Sequence, residues 1–324
     1  METISTNNTA NNHSVDRPKI NGRVAVLMGG NAAEREVSLA SGNSVITGLK
    51  AMGVDVVGID TANNVVEALQ AQRPDFAFIA LHGKGGEDGT MQALLEKMNI
   101  PYSGSGVLGS ALAMDKVRSK NVWRGLSLST PAFACLDEAS DFGAVLTALG
   151  GTAFVKPADE GSSIGMSLVK TADELQAAYQ NTVEHGVTIF AEQWIDGPEY
   201  TVTILDGFEL PSIRIATQRE FYNFEAKYQD DDTQFFIPSG LNAGEEALLQ
   251  NLAKEAFYSL GCSGWGRVDF MRDKNSGQFY LLEANTVPGL TDHSLVPMAA
   301  AAVGLNFNAL IANIIHLSVQ AKVR

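Results

Sequence analysis

Cysteine is scarce in this 324-residue sequence: Cys135 and Cys262 stand far apart and in no CxxC arrangement. That argues against a structural zinc site or a redox dithiol and makes a reduced, cytoplasmic setting the expectation. Positive charge is also short, with 23 Lys and Arg against 37 Asp and Glu, a formal charge of −14. Such an acidic surface suits neither nucleic acid nor an anionic membrane as partner. Long apolar runs are missing too; no stretch approaches the roughly 20 residues of a bilayer span. Residues 1–19 are rich in Asn, Thr and Ser and lack an apolar h-region, so a disordered tail is expected there rather than a signal peptide. Two phosphate-binding signatures are absent. There is no GxxxxGK[ST], and Gly29-Gly30-Asn31-Ala32-Ala33-Glu34 does not satisfy GxGxxG.

What is present is ordinary globular composition, 45% hydrophobic and 19% charged. The length predicts two or three lobes with cores that need no covalent staples. Val24 to Met28 reads as a buried strand ending at Gly29-Gly30, and Glu34 to Met52 has helical spacing, with Val37, Ser41, Val45 and Leu49 on one side and Gly53 as the stop. Strands at 54–59 and 76–81 follow, the second running into His82-Gly-Lys-Gly-Gly-Glu-Asp-Gly89. Strands alternating with helices imply an α/β fold with a parallel sheet and functional loops at the strands' C-terminal ends. A first lobe at 20–113, a second at 114–198 and a third at 199–324 are expected, the last closing with a hairpin over 266–285 and a C-terminal helix.

That hairpin is the most informative stretch. Asp273 to Gly277 has turn composition, and Gly277 suits a positive φ. Side chains alternate along a strand, so Arg267 and Asp269 share one face, as do Glu283 and Asn285, and Asp269 falls opposite or diagonal to Glu283. Val268, Phe270, Tyr280, Leu282 and Ala284 would then form the core face. Two carboxylates and an amide oxygen suit Mg²⁺ or Mn²⁺; the competing reading is a salt-bridged hairpin surface.

Other segments stay open on their own residues. Lys156 ends an apolar strand, where a lysine can simply snorkel. Gly161-Ser162-Ser163-Ile164-Gly165 is either an anion-cradling loop or a plain turn. Glu192-Gln193-Trp194-Ile195 reads as an edge strand with a half-buried Trp or as an adenine-binding segment. The polar stretch 221–234, with Lys227 and Tyr228, is a lid or a surface loop.

Taken together, the ordered motifs closely resemble the D-alanine–D-alanine ligases of the ATP-grasp superfamily. They are Gly-Gly-x-x-x-Glu-Arg-Glu-Val-Ser at 29–38, Ala-Leu-His-Gly-x-Gly-Gly-Glu-Asp-Gly at 80–89, Pro-Tyr-x-Gly-Ser-Gly at 101–106 and Met-Asp-Lys at 114–116. They continue with Val-Lys-Pro and Glu-Gly-Ser-Ser within 155–163, Glu-Ala-Lys-Tyr at 225–228, Gly-Trp-Gly-Arg-x-Asp at 264–269 and Leu-Leu-Glu-Ala-Asn-Thr-x-Pro-Gly-Leu-Thr-x-His-Ser at 281–294. The resemblance covers essentially everything after residue 20.

It implies an ATP-grasp architecture: a Rossmann-like lobe plus two α+β lobes sandwiching ATP. It also implies ATP-dependent joining of two D-alanines through an acyl phosphate, for peptidoglycan synthesis in the cytoplasm, by a homodimer using two Mg²⁺ or Mn²⁺. Position by position, Lys116 and Lys156 would hold ATP phosphates, and Lys227 the transferred phosphoryl group. Glu192, Gln193, Trp194, Ile195, Glu199 and Leu282 would surround adenine and ribose. Asp269, Glu283 and Asn285 would hold the metals. Glu34 would take the first ammonium and form a hydrogen-bonded set with Ser162 and Tyr228. Arg267 and the Gly289 N–H would form the oxyanion hole, Ser294 would bind the second carboxylate, and His82 would neighbour the first substrate. Tyr228 goes with D-alanine rather than D-lactate as second substrate. Gln193, where many relatives have Lys, and Val287 and Asp292, in place of small polar residues, are departures. The rivals are a glutathione-synthetase-like ligase, which would lack the Glu34 and Ser294 contacts, and a non-catalytic nucleotide binder, which would not need the arginine.

Overall fold

The computed structural model describes residues 22–160, 166–184, 188–206, 208, 210–216 and 233–321. The tail expected at 1–19 lies outside these described residues, as do Ser162, Lys227 and Tyr228.

The chain opens with β1 (Arg23–Met28), α1 (Arg35–Ala51), β2 (Asp55–Asp60), α2 (Val65–Gln72) and β3 (Phe76–Ile79). The three strands form a parallel sheet of order β2-β1-β3. Val24 to Leu27 are wholly buried, the signature of a central parallel strand covered on both faces. Helix α1 turns Ser38, Ser41, Gly42, Val45 and Leu49 inward at helical spacing. Helices α3 (Thr90–Lys97) and α4 (Val107–Met114) follow.

Next come α5 (Lys116–Gly125), β4 (Phe133–Leu136), α6 (Phe142–Ala148), β5 (Ala153–Pro157), β6 (Ser167–Val169), α7 (Ala172–Thr182) and β7 (Ile189–Gln193). They build an antiparallel sheet of order β4-β7-β5-β6. Thr171 and Glu174 start α7 with a reciprocal capping box. Strand β7 lies between β4 and β5, which overturns the edge-strand reading of Glu192 to Ile195.

The third sheet is also antiparallel, of order β10-β9-β8-β11-β12. Its strands are β8 (Glu199–Leu205), β9 (Ile213–Ala216), β10 (Gln234–Phe236), β11 (Trp265–Arg272) and β12 (Phe279–Asn285), with α8 (Ala243–Ser259) packed on one face. Instead of one C-terminal helix there are two, α9 (Leu295–Ala302) and α10 (Phe307–Ala321). Gly304 at φ +81° breaks the run, and the Asn306 side chain restarts it by accepting from the Ala309 N–H at 3.0 Å. No single helix among the described residues is long and apolar enough to cross a membrane.

Each sheet comes from one continuous stretch of chain, but the cores do not follow the same cuts. Helix α10 returns to pack on α1, so one cluster joins Val45 and Leu49 to Leu310 and Ile311. Trp123 of α5 is buried with Leu249 and Phe257 in the core of the third sheet, and its indole N–H donates to the Ala256 carbonyl at 3.0 Å. The middle sheet keeps a smaller core of its own around Leu146, Val155 and Leu175.

Candidate active site

The β11–β12 ladder pairs Asp269 with Glu283 and Arg267 with Asn285, placing these four groups together as the alternation of side chains requires. A β-bulge between Asp269 and Phe270 then skips Leu282, so Phe270 pairs with Leu281. The core face is therefore Val268, Phe270, Phe279, Leu281 and Ala284. Tyr280 and Leu282, expected inside, are half-buried and stand apart from that cluster because the extra residue reverses the alternation.

Arg267 grips Asp269 through two N–H···O bonds of 2.8 Å, and Thr201 donates to the same carboxylate at 2.7 Å. The salt-bridged reading thus has a real pair behind it, but Asp269 is buried and Arg267 half-buried, so the pair is not a surface one. Glu283 takes the Lys116 ammonium at 3.1 Å, and the Asn285 side-chain oxygen accepts from the Val287 N–H at 3.0 Å. Two facing carboxylates and an amide oxygen are hard donors, and the set fits a divalent cation that retains places for water and phosphate. No group of three or more His, Cys, Asp or Glu suited to a metal occurs among the described residues.

Helix α5 presents Lys116 and Lys120 four residues apart, hence on one face. Lys116 donates to the Glu160 carbonyl at 2.8 Å as well as meeting Glu283. Lys120, which the sequence reading passed over, is 0% exposed. Its ammonium meets the Glu192 carboxylate and donates to Thr130 Oγ1 at 2.8 Å. Lys156 meets the other Glu192 oxygen at 2.5 Å and stacks beside the rings of Phe154 and Phe190, so it is buried rather than snorkelling. Burial alone would raise the Glu192 carboxyl; Lys120 and Lys156 together hold it below its usual range. Burial draws the Lys120 ammonium down to about 8 against the pull of Glu192. Beside this triad the half-buried Trp194 leans on Phe154 at 5.3 Å between centroids, Gln193 is half-buried and Ile195 is buried. Glu199 opens β8.

The loops after β1 and β3 complete the site. Glu34 is buried, and a Cβ on Gly83 would stand 2.7 Å from its carboxylate oxygen. Glu87 accepts from the Gly83 N–H at 2.6 Å; burial, with Glu34 nearby, pushes its carboxyl well above the usual range. Glu87 was visible only as part of a motif. Lys84 reaches across to Asp159 and Glu160 at 3.1 and 2.6 Å, tying this loop to the end of β5. The His82 ring is buried, with Nε2 3.3 Å from Ser41 Oγ and the Val287 carbonyl close by. Burial takes its pKa down to about 4 despite that carbonyl, and the charge of Arg267 adds to the shift, so the ring is neutral. Gly289 lies against the Ser294 hydroxyl, which accepts from the Thr291 N–H at 2.9 Å. Asp292 is exposed, and Val287 is buried.

Two family profiles match the chain: "D-ala D-ala ligase C-terminus" over residues 122–316 and "D-ala D-ala ligase N-terminus" over 60–105. The chain belongs to the D-alanine–D-alanine ligase family. The D-alanine–D-alanine ligase of Ectopseudomonas mendocina is 54% identical over 96% of this chain and 99% of its own length. That of Saccharophagus degradans is 53% identical over 91% and 93%. Among solved structures, the Bacillus anthracis D-alanine–D-alanine ligase complexed with ATP superposes with a TM-score of 0.82 at 34% identity, covering 94% of this chain and 99% of that one. The fold is ATP-grasp, with one parallel and two antiparallel sheets, as the family resemblance implied.

Proposed function

We propose that this chain joins two D-alanine molecules into D-alanyl-D-alanine at the expense of ATP, the dipeptide serving peptidoglycan synthesis. The observation that carries the reading is the ladder register that brings Arg267, Asp269, Glu283 and Asn285 together beside the Gly289–Ser294 loop.

A carboxylate is too poor an electrophile to condense with an amine at neutral pH, so it is first phosphorylated. A carboxylate oxygen of the first D-alanine attacks the γ-phosphorus of ATP, and the bond to the ADP oxygen breaks. The amine of the second D-alanine attacks the acyl carbon; the tetrahedral intermediate expels phosphate, and the amine gives up its proton. Glu34 holds the first ammonium, and Ser294 the second carboxylate. Arg267 and the Gly289 N–H face the oxyanion, where one such donor is typically worth about 10²–10³ in rate. Lys116, Lys156 and Lys227 offset phosphate charge, and Gln193, Trp194, Ile195, Glu199 and Leu282 enclose the nucleoside. Glu192, fixed by Lys120 and Lys156, anchors that wall. Two Mg²⁺ or Mn²⁺ held by Asp269, Glu283 and Asn285 would neutralise charge on the phosphates when bound. Keeping water from the acyl phosphate falls to Ser162 and Tyr228.

In this reading the lobes are 20–113, 114–198 and 199–324, and the protein works in the cytoplasm as a homodimer. Phosphate release measured with D-alanine and L-alanine side by side tests the function: release with D-alanine alone supports it, and equal release with both, or none with either, overturns it. In Tyr228→Phe, the preference for an amine over a hydroxyl at the second site should relax.

A further inference from the structure

We infer that Ser41, backed by His82, is a positioning group that sets the Gly289 loop for the tetrahedral step; this rests on the function proposed above. Ser41 projects from α1, and its hydroxyl accepts the Leu290 N–H at 3.2 Å. The same oxygen lies 3.3 Å from His82 Nε2. The Val287 backbone lies close to the same ring. All four residues are buried.

The directions of these bonds form one chain. A neutral imidazole has one donor nitrogen and one acceptor. The Ser41 oxygen accepts from Leu290, which leaves its own proton for the acceptor nitrogen of the ring. The residue after Gly289 is thereby tied to the lobe that carries Glu34. The oxyanion donor and the holder of the first ammonium then share one rigid frame.

The geometry matters because an oxyanion donor works only when aimed at the developing charge, and small misplacements are costly. Nothing in the spacing of the sequence points to this link, since Ser41 and Leu290 are 249 residues apart.

The test compares wild type with Ser41→Ala, His82→Asn and the double variant. Four quantities are read: turnover, KM for ATP, affinity for a phosphinate dipeptide mimic of the tetrahedral intermediate, and hydrogen exchange across 286–291. Expected in Ser41→Ala is a fall in kcat of about 10- to 100-fold, with a parallel loss of phosphinate affinity. KM for ATP should hold within about twofold, because the nucleotide contacts are untouched. Exchange should quicken in 286–291 and not in β11. The double variant should cost less than the product of the single losses, as expected for one linked chain. Unchanged kcat would overturn the proposal. So would equal losses in ATP and phosphinate affinity, which would indicate general loosening. Wild-type protein that releases no phosphate with D-alanine would overturn the function itself and this role with it; faster loop exchange in Ser41→Ala would then show the tether alone. Should Ser41→Ala not fold, His82→Asn carries the same comparison.

Discussion

Arg267 and Asp269, two residues apart on one strand, are locked together by two N–H···O bonds of 2.8 Å. The proposed oxyanion donor thus holds a proposed metal ligand. The two roles pull apart under mutation. Removing the guanidinium leaves the buried Asp269 carboxylate with the hydrogen bond from Thr201 and a stronger need for a cation. Arg267→Met should therefore bind Mn²⁺ in the presence of a non-hydrolysable ATP analogue at least as tightly as wild type, while kcat falls by about 10²–10³. Asp269→Asn should lose Mn²⁺ affinity and turnover together. Electron paramagnetic resonance of Mn²⁺ beside a phosphate-release assay separates the two. If Mn²⁺ affinity fell in Arg267→Met as far as turnover did, the division of roles would be wrong.

Lys120, Glu192 and Lys156 make a buried triad in which one carboxylate serves two ammonium groups. Removing the carboxylate leaves two ammonium groups facing each other where water scarcely reaches. Glu192→Gln should lower unfolding free energy by about 3–5 kcal/mol. Lys120→Met combined with Glu192→Gln should cost less than the sum of the two single changes, since the double variant no longer opposes two buried ammonium groups. Urea titrations of the four proteins decide the matter; strict additivity would mean that the groups do not interact.

Burial that holds His82 neutral makes stability depend on pH. The ordinary histidine value is 6.5, and in the folded protein it is about 4. Between these values the unfolded chain binds the proton and the folded one does not, so stability is lost as pH falls through this window. The loss approaches about 1.4 kcal/mol per pH unit. His82→Asn lacks this group. Its deficit relative to wild type should be constant above pH 6.5, shrink between pH 6.5 and 4, and level off below. Paired denaturation curves at several pH values measure that difference, and a deficit independent of pH throughout would show that His82 protonates equally in both states.

The strands around the site were readable because period-two alternation and turn composition survive in a single sequence. The Asp273–Gly277 turn sets Asp269 opposite or diagonal to Glu283, and the ladder makes the two direct partners. The bulge at Leu282 was not readable, since which residue is doubled depends on the partner strand. Lys120 did carry a signal, its spacing of four from Lys116, but its partner Glu192 lies far along the chain. The short β4 and α6 escaped because Phe133 to Leu136 and Phe142 to Ala148 are too brief to show a clear period. The break at Gly304 lies within a largely apolar stretch, 295–317, where periodicity alone does not mark the end of one helix and the start of the next.

Gly289 offers the sharpest test of how the second substrate is held. Its φ is not in the left-handed region, so alanine fits the backbone there without strain. A methyl at that position would stand 2.8 Å from the Ser294 oxygen, closer than carbon and oxygen tolerate. The cheapest relief is rotation of the Ser294 hydroxyl, which would give up its bond from the Thr291 N–H at 2.9 Å. Under the proposed function that hydroxyl meets the second carboxylate, and a hydrogen bond to a charged group contributes about 1.5–3 kcal/mol. Gly289→Ala should therefore raise the second of the two D-alanine constants resolved from the full saturation curve by about 10- to 100-fold. Ser294→Ala should raise the same constant by a similar factor, and the double variant should be little worse than either. A Gly289→Ala enzyme with that constant unchanged and kcat reduced would mean that the methyl disturbs the Gly289 N–H instead, placing the oxyanion contact and not the Ser294 hydroxyl at the point of collision.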